Sequence, residues 1–467
     1  MSLLIPGTNS IKDTGYDVAN SARFNVGSSD NIQRTYGTPT NAKIFGLSWW
    51  VKLGKAWDGS GSQDFWGERA DGSNRVFHGI NADGTFQYFE KNGGSTTLDI
   101  KTNRLFRDNS AWYHFLLLGD STQGTAANRL KLYINGVQET SFSTESYPSS
   151  DYQFRLAVGS STKYFGRIGL GGSLSTNYYD GYLAEAVFVD GTVTAHTDYG
   201  EFDSDSPNIW KPIDVSGLTF GNNGFHLDFE DSSALGNDVS GNDNDFTVNN
   251  LTAVDQSTDT CTNNFATLNP LDNYYAGSTL SEGNLKIVTG GYTTNTSTIA
   301  LASGKWFWEV KVTNSSSEDM IGIRGDQTRS NYDWNESFDF FYNSYGRFYD
   351  GSSGSQFVSY GATFTTGDII GVALDLDSGT NTIQFYKNGS AQGSKNITNV
   401  SSTALGFYNI AVGDYTSGAA STFEMNFGSP TFSISSGNAD GNGYGNFEYS
   451  VPSGYYAVNS KNLAEFG

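Results

Sequence analysis

Leu132-Tyr133-Ile134-Asn135-Gly136 and Phe385-Tyr386-Lys387-Asn388-Gly389 end two strands, far apart in the chain, with the same device. Apolar residues alternate on the way in: Leu130, Leu132 and Ile134 in the first, Ile383 and Phe385 in the second. Asn-Gly then supplies the positive φ angles of a tight hairpin turn. Each hairpin is preceded by a strand that runs into an acidic turn, Phe115 to Asp120 and Ile369 to Asp377. The recurring unit is strand, polar turn, strand, Asn-Gly, strand, and the chain carries it twice.

Composition agrees with an all-β chain. Among 467 residues there are 56 Gly, 8 Pro and 15% aromatic residues, with abundant Ser, Thr and Asn, which describes short strands joined by polar turns. No window keeps a helical period of apolar residues for three turns, so no helix is expected. No heptad run winds a trimeric stalk either, so a homo-oligomer would have to form through sandwich faces. The length admits two large cores with a connector.

The formal charge of −22, with Lys and Arg scattered singly, repels phosphate backbones and argues against nucleic acid as a partner. Cys261 is the single cysteine, so a disulfide within the chain is excluded. Met1 to Pro6 lacks a basic region ahead of its short apolar run, so a Sec signal peptide is not expected. Phe115 to Leu118 and Ile369 to Leu374 fall far short of the roughly 20 residues of a membrane span.

Strands are expected at Ala22–Val26, Phe45–Leu53, Arg75–Ile80, Thr85–Phe89, Trp112–Leu118, Arg129–Ile134 and Tyr182–Val189. At this spacing and without helices between them they predict two stacked antiparallel sheets. Ser21-Ala22-Arg23-Phe24, Leu47-Ser48-Trp49-Trp50-Val51-Lys52, Trp112-Tyr113-His114, Asn128 to Gly136 and Tyr179-Asp180-Gly181-Tyr182-Leu183-Ala184-Glu185 together resemble the laminin G-like, concanavalin A-like lectin/glucanase domains. The resemblance covers residues 15–205, within a first domain of 1–205.

Further on come Gly304-Lys305-Trp306-Phe307-Trp308-Glu309-Val310, Ile321-Gly322-Ile323, Gly367 to Asp375 and the second Asn-Gly hairpin. In that order they resemble a SPRY domain, a bent β sandwich that binds and carries no catalytic chemistry. It is assigned to 276–430 and followed by a tail, 431–467. Residues 206–275 are turn-rich and are expected to form an ordered connector, since their aromatic residues would otherwise be stranded in water. The wording of connector and tail resembles proteins of marine tailed phages. The resemblance implies a virion protein, a tail fibre, spike or surface appendage binding host-surface polysaccharide. The alternative is a structural capsid-decoration or tail component that binds other virion proteins.

Glucanases on the lectin-like fold use carboxylates at a period of two, and no such run is present in the first domain. The nearest is Asp228 and Glu230, expected on one face of a strand in the connector. A glycan-cleaving enzyme is therefore the third reading, and a non-enzymatic protein the expected one. His78, His114, His196 and His226 stand far apart with no metal-ligand or triad spacing and are read as packing residues. Asp238, Asn242, Asp243 and Asp245 surround Ser240-Gly241 and could offer oxygens to structural Ca²⁺, or form polar turns held by Asx hydrogen bonds. Sugar faces stack on rings while their hydroxyls seek amides and carboxylates, so aromatic residues on turns are the candidate platforms. These are Trp57 and Asp58, Trp66, and Tyr178, Tyr179 and Asp180 in the first domain. In the second they are Tyr332, Trp334, Tyr349 and Asp350. Trp306 and Trp308 share a strand face with Val310 and are expected in the core.

Overall fold

The computed structural model describes residues 15–55, 61–168, 177–274, 277–326, 338–353, 356–416 and 420–467. The chain divides into two compact units, one spanning Thr14–Thr262 and the other containing Asn263–Gly467.

In the first unit two antiparallel sheets face each other. One runs Val137–Glu139, Leu130–Ile134, Trp112–Asp120, Ile44–Leu53, Gly181–Asp190, Ser21–Phe24 and Gln256–Ser257 in lateral order, with Phe225–Leu227 also paired to Gly181–Asp190. The other runs Phe142–Ser146, Ser95–Leu105, Thr85–Asn92, Arg75–Ile80, Gln63–Arg69, Thr162–Phe165, Asn31–Thr35 and Thr247–Asn249. Trp49, Phe86, Phe115 and Leu117 fill the space between them, as alternation demands.

Strand Gln63–Arg69 escaped the sequence reading because its polar residues are hidden. Buried Glu68 accepts from Lys163 and Arg155, so a charge sits where an apolar residue is expected. The segment expected as a connector is divided between the units, with residues 206–262 belonging to the first. Phe225–Leu227, Thr247–Asn249 and Gln256–Ser257 extend its sheets, and Phe225, Leu227, Phe229 and Phe246 complete its core. Backbone N–H groups of exposed sheet edges invite such pairing, and the aromatic residues find their partners there.

The second unit is also a sandwich. Leu268–Tyr274, Thr293–Leu301, Tyr408–Asp414, Asp319–Arg324, Asp339–Asn343, Arg347–Asp350 and Gln356–Ser359 form one sheet. Thr279–Ser281, Lys286–Val288, Thr422–Asn426, Lys305–Asn314, Ile369–Asp375, Thr382–Lys387 and Ser390–Asn396 form the other. Trp306, Trp308 and Val310 lie in the core between them, as expected. The tail returns to this sheet: Tyr456–Ala457 pairs in parallel with Lys305–Asn314. A seven-residue α-helix, Ser460–Phe466, follows, capped where the Asn459 side chain accepts from Asn462 N. It is two turns long, too short to show a helical period in the sequence. No helix among the described residues is long and apolar enough to cross a membrane.

Candidate functional site

On strand Leu130–Ile134, Leu130, Leu132 and Ile134 enter the core, so Lys131 and Tyr133 emerge on the other face of the sheet. The segment Val193–His196, which follows strand Gly181–Asp190, lies beside them. Between the two is an open groove of about 320 Å³ lined by Asp120, Gln123, Asn128, Lys131, Tyr133 and His196, among others. That volume falls at the low end of the range for small-ligand sites, roughly 300 Å³ and above.

One wall of the groove is a column of rings. Tyr133 and His196 stack with centroids 4.9 Å apart and planes 5° apart, and His196 lies 6.1 Å from Trp210. Trp210 Nε1 in turn donates to Nδ1 of buried His114 at 3.0 Å. Because Nδ1 accepts, the His114 proton sits on Nε2, 2.8 Å from Ser48 Oγ. Burial pushes the His114 pKa down to about 3, so the ring is neutral and the column rests on a fixed tautomer.

The opposite wall is a pinned loop. The Arg129 guanidinium donates to the carbonyls of Gln123, Gly124 and Pro148 at 2.9, 3.1 and 2.8 Å. Asp120 accepts from Thr122 N at 3.0 Å and from the Gln123 amide at 2.5 Å. Among the described residues the Asn128 amide and the Lys131 ammonium have no protein partner. An aromatic face beside an amide and an ammonium left free to donate is the combination that receives a polyhydroxylated ring. Alternation on the strand already placed Tyr133 outside the core, but His196 reads as an isolated histidine until the fold brings it alongside.

The residues expected to form platforms are distributed otherwise. Trp66 is wholly buried, stacked 5.7 Å from His78, because it lies on strand Gln63–Arg69 and not on a turn. Tyr179 is a core residue whose phenol donates to the carbonyls of Lys52 and Tyr182 at 2.8 and 2.9 Å. Tyr349 is buried on strand Arg347–Asp350, 5.3 Å from Phe357. None of these three rings offers a face to a ligand. Asp180 is buried, its N–H donating to Gln63 Oε1, and Asp350 accepts from Ser352 N at 3.0 Å in an Asx turn. Tyr178 is half-buried; its hydroxyl accepts from Arg167, whose guanidinium lies 4.8 Å above the ring. Trp57, Asp58, Tyr332 and Trp334 lie outside the described residues.

Two of the carboxylates expected to offer oxygens to Ca²⁺, Asp238 and Asp245, are already engaged. Asp238 accepts from the N–H groups of His226, Ser240 and Asn244 at 2.8 to 2.9 Å and from Ser240 Oγ. Asp245 accepts from Asp238 N, and the Asn242 amide donates to the carbonyls of Gly221 and Gly224. Among the described residues nothing engages the Asp243 side chain, but one exposed carboxylate does not make a six- to eight-oxygen shell. These donors do not fit a cation; the segment is a network of polar turns, the other of the two readings.

The acids Asp228 and Glu230 do not share a strand face. The strand ends at Leu227, Phe229 has φ of +59°, and Asp228 caps its own turn by accepting from Glu230 N at 3.1 Å. The fold instead places buried Glu185 against buried His226, with 2.9 Å between Oε2 and Nε2. Burial opposes the imidazolium. The Glu185 hydrogen bond and the charges of Glu185, Asp228 and Asp238 outweigh it and raise the His226 pKa. Both side chains are covered, so the pair ties strand Phe225–Leu227 to Gly181–Asp190.

Residues 26–197 match the family model of the concanavalin A-like lectin/glucanases superfamily, and residues 305–429 match that of the SPRY domain. Ran-binding protein 10 of Danio rerio is 34% identical over 140 residues, 27% of this chain and 22% of that protein. The chain thus spans about a fifth of the length of this curated relative. Among solved structures, the SPRY domain of human HERC1 is 19% identical over 34% of this chain and 96% of its own, with a TM-score of 0.28. A SAP-like pentraxin from Limulus polyphemus is 14% identical over 39% and 81%, with a TM-score of 0.29. The chain therefore carries two domains, one laminin G-like and concanavalin A-like of the lectin type and the other SPRY.

Proposed function

We propose that this protein is a non-enzymatic glycan-binding protein, and that the groove beside Tyr133 and His196 is where the sugar sits. The observation that carries the proposal is the juxtaposition of a stacked ring wall with the Asn128 side-chain amide on a pinned loop and the Lys131 ammonium on the neighbouring strand, neither with a partner among the described residues. A fixed loop keeps the ordering cost of binding low. The lectin-type fold and the polar groove support this reading over cleavage. Glu185 and His226, an acid paired with a base where strand Phe225–Leu227 meets Gly181–Asp190, are both enclosed.

The resemblance of residues 206–270 and 437–467 to marine tailed-phage proteins supports a reading in which the protein acts on a virion surface and the glycan is host-cell polysaccharide. A glycan array with the full chain, alongside adsorption competition by host polysaccharide, tests the proposal. Binding that is lost in Tyr133→Ala supports it. Silence in both assays would favour an assembly role among virion proteins, and release of reducing ends from the polysaccharide would favour an enzyme.

A further inference from the structure

Strands Lys305–Asn314, Ile369–Asp375 and Thr382–Lys387 are neighbours, and their register places Glu309, Gly371 and Tyr386 side by side in one row. Glycine within a strand weakens it unless something must come close to the backbone. At Gly371 the missing side chain leaves a pocket of about 180 Å³, lined by Phe307, Tyr386, Gly389, Tyr449 and Ser450. A Cβ at Gly371 would approach the Phe307 ring to 3.1 Å and Tyr386 Cβ to 3.4 Å.

The fourth side comes from the tail. Buried Glu309 accepts from Glu448 N at 2.9 Å and Tyr449 N at 2.8 Å, which holds Tyr449 over the Asn388-Gly389 hairpin. Phe307 and Tyr386 meet edge to face, with centroids 6.4 Å and planes 71° apart, so two of the walls stand nearly at right angles. Residues 437–467 lie beyond the stretch that matches the SPRY model, so the domain by itself would lack Tyr449.

Charge decides which ligand suits these rings. The Tyr449 phenol is pushed up by burial first and then by the negative charges of Glu448, Glu309 and Asp368. The nearby lysines are already held: Lys387 lies 3.2 Å from Asp368 and Lys305 2.8 Å from Asp375. Ring faces attract cations, and the lining offers few groups for the hydroxyls of a sugar. We propose that this pocket binds a quaternary or fully methylated ammonium group, a cation with an apolar surface and no hydrogen to donate. The proposal is independent of the glycan groove in the first unit.

Calorimetric titration of the full chain with choline and with its uncharged isostere 3,3-dimethylbutan-1-ol tests it. Saturable choline binding, with the isostere at least tenfold weaker, is expected. Tyr449→Ala should weaken choline at least tenfold and Tyr449→Phe should not, since the ring is retained. Gly371→Ala, which narrows the pocket at a position of ordinary φ, should weaken it as well, with an unchanged melting profile showing that the variants fold. Equal binding of the two ligands, no binding of choline, or wild-type affinity in folded Tyr449→Ala would overturn the proposal.

Discussion

The two Asn-Gly hairpins are alike to the degree. Asn135 and Asn388 both have φ of +47°, and Gly136 and Gly389 both have +76°. In each, the asparagine side chain accepts a backbone N–H from the preceding strand, His114 at 2.7 Å and Ile369 at 2.9 Å. In each, the glycine lies under an aromatic ring brought by a covering segment, Trp210 in the first unit and Tyr449 in the second. The covers differ. Trp210 is anchored to His114 and seals its hairpin, so ligand space opens farther along, beside Tyr133. Tyr449 is held by its backbone to Glu309, and its ring stands beside a hole left by Gly371. One local device therefore supports two sites, and what lies over the turn sets where each opens.

The largest effect is expected from Phe225→Ala. Phe225 packs 4.8 Å from Phe246 and 5.7 Å from Phe188, all in the first core, so the cost should be about 3–5 kcal/mol in urea unfolding. A cost below 1 kcal/mol would mean that the cover of the first unit is a mere bridge. Gly136→Ala comes next. Its Cβ would fall 2.1 Å from the Trp210 ring at a left-handed φ, which predicts a loss of about 3 kcal/mol. Gly389→Ala, at the same φ but 2.7 Å from Tyr449, should lose about 2 kcal/mol. Equal losses would erase the difference between a sealed and an open hairpin.

Acid should act with opposite sign on the buried histidines of the first unit and on buried Glu309 of the second. Burial lowers His114 and His78 to about 3 in the folded first unit. Unfolded histidine takes up a proton near pH 6.5, so the stability these groups contribute is present above that pH and falls as pH falls toward 3. From pH 7 to 5 the loss should be about 2 kcal/mol for each ring. Raised His226 acts against this, since its pair with Glu185 is worth most below pH 6.5. In the second unit, burial raises Glu309 to about 7, so its contribution is present below the unfolded carboxyl value of 4.5 and is lost as pH rises to 7. Over pH 5 to 7 this amounts to about 2 kcal/mol. Calorimetry across that range checks both signs, with buried Asp64, raised to about 7, offsetting part of the histidine loss in the first unit, and His114→Gln should reduce that unit's acid loss. The smallest effect on folding belongs to Tyr133→Ala. The ring is half-exposed, so stability should change by less than about 1 kcal/mol while glycan affinity falls about tenfold.

Strand positions, the hairpins and the core residues between them were legible because an extended backbone sends alternate side chains to opposite faces whatever surrounds it. Asn-Gly likewise adopts its turn from local sterics alone. The burial of Trp66, Tyr179 and Tyr349 was not legible. Each stands beside a glycine or an acid that reads as a turn, Gly67, Asp180 and Asp350, and the rings and carbonyls that enclose them come largely from other strands. Nor did the residues around Phe225 announce which sheet they would join, since Phe225–Leu227 needs only an open edge of the right register. The groove beside Tyr133 and the pocket over Gly371 arise where chain segments remote in sequence meet, His196 against Tyr133 and Tyr449 against Gly389. Periodicity is a property of neighbours along the backbone, whereas a binding site is made by neighbours in space, and only packing of the covering segments onto the sheets settles which residues those are.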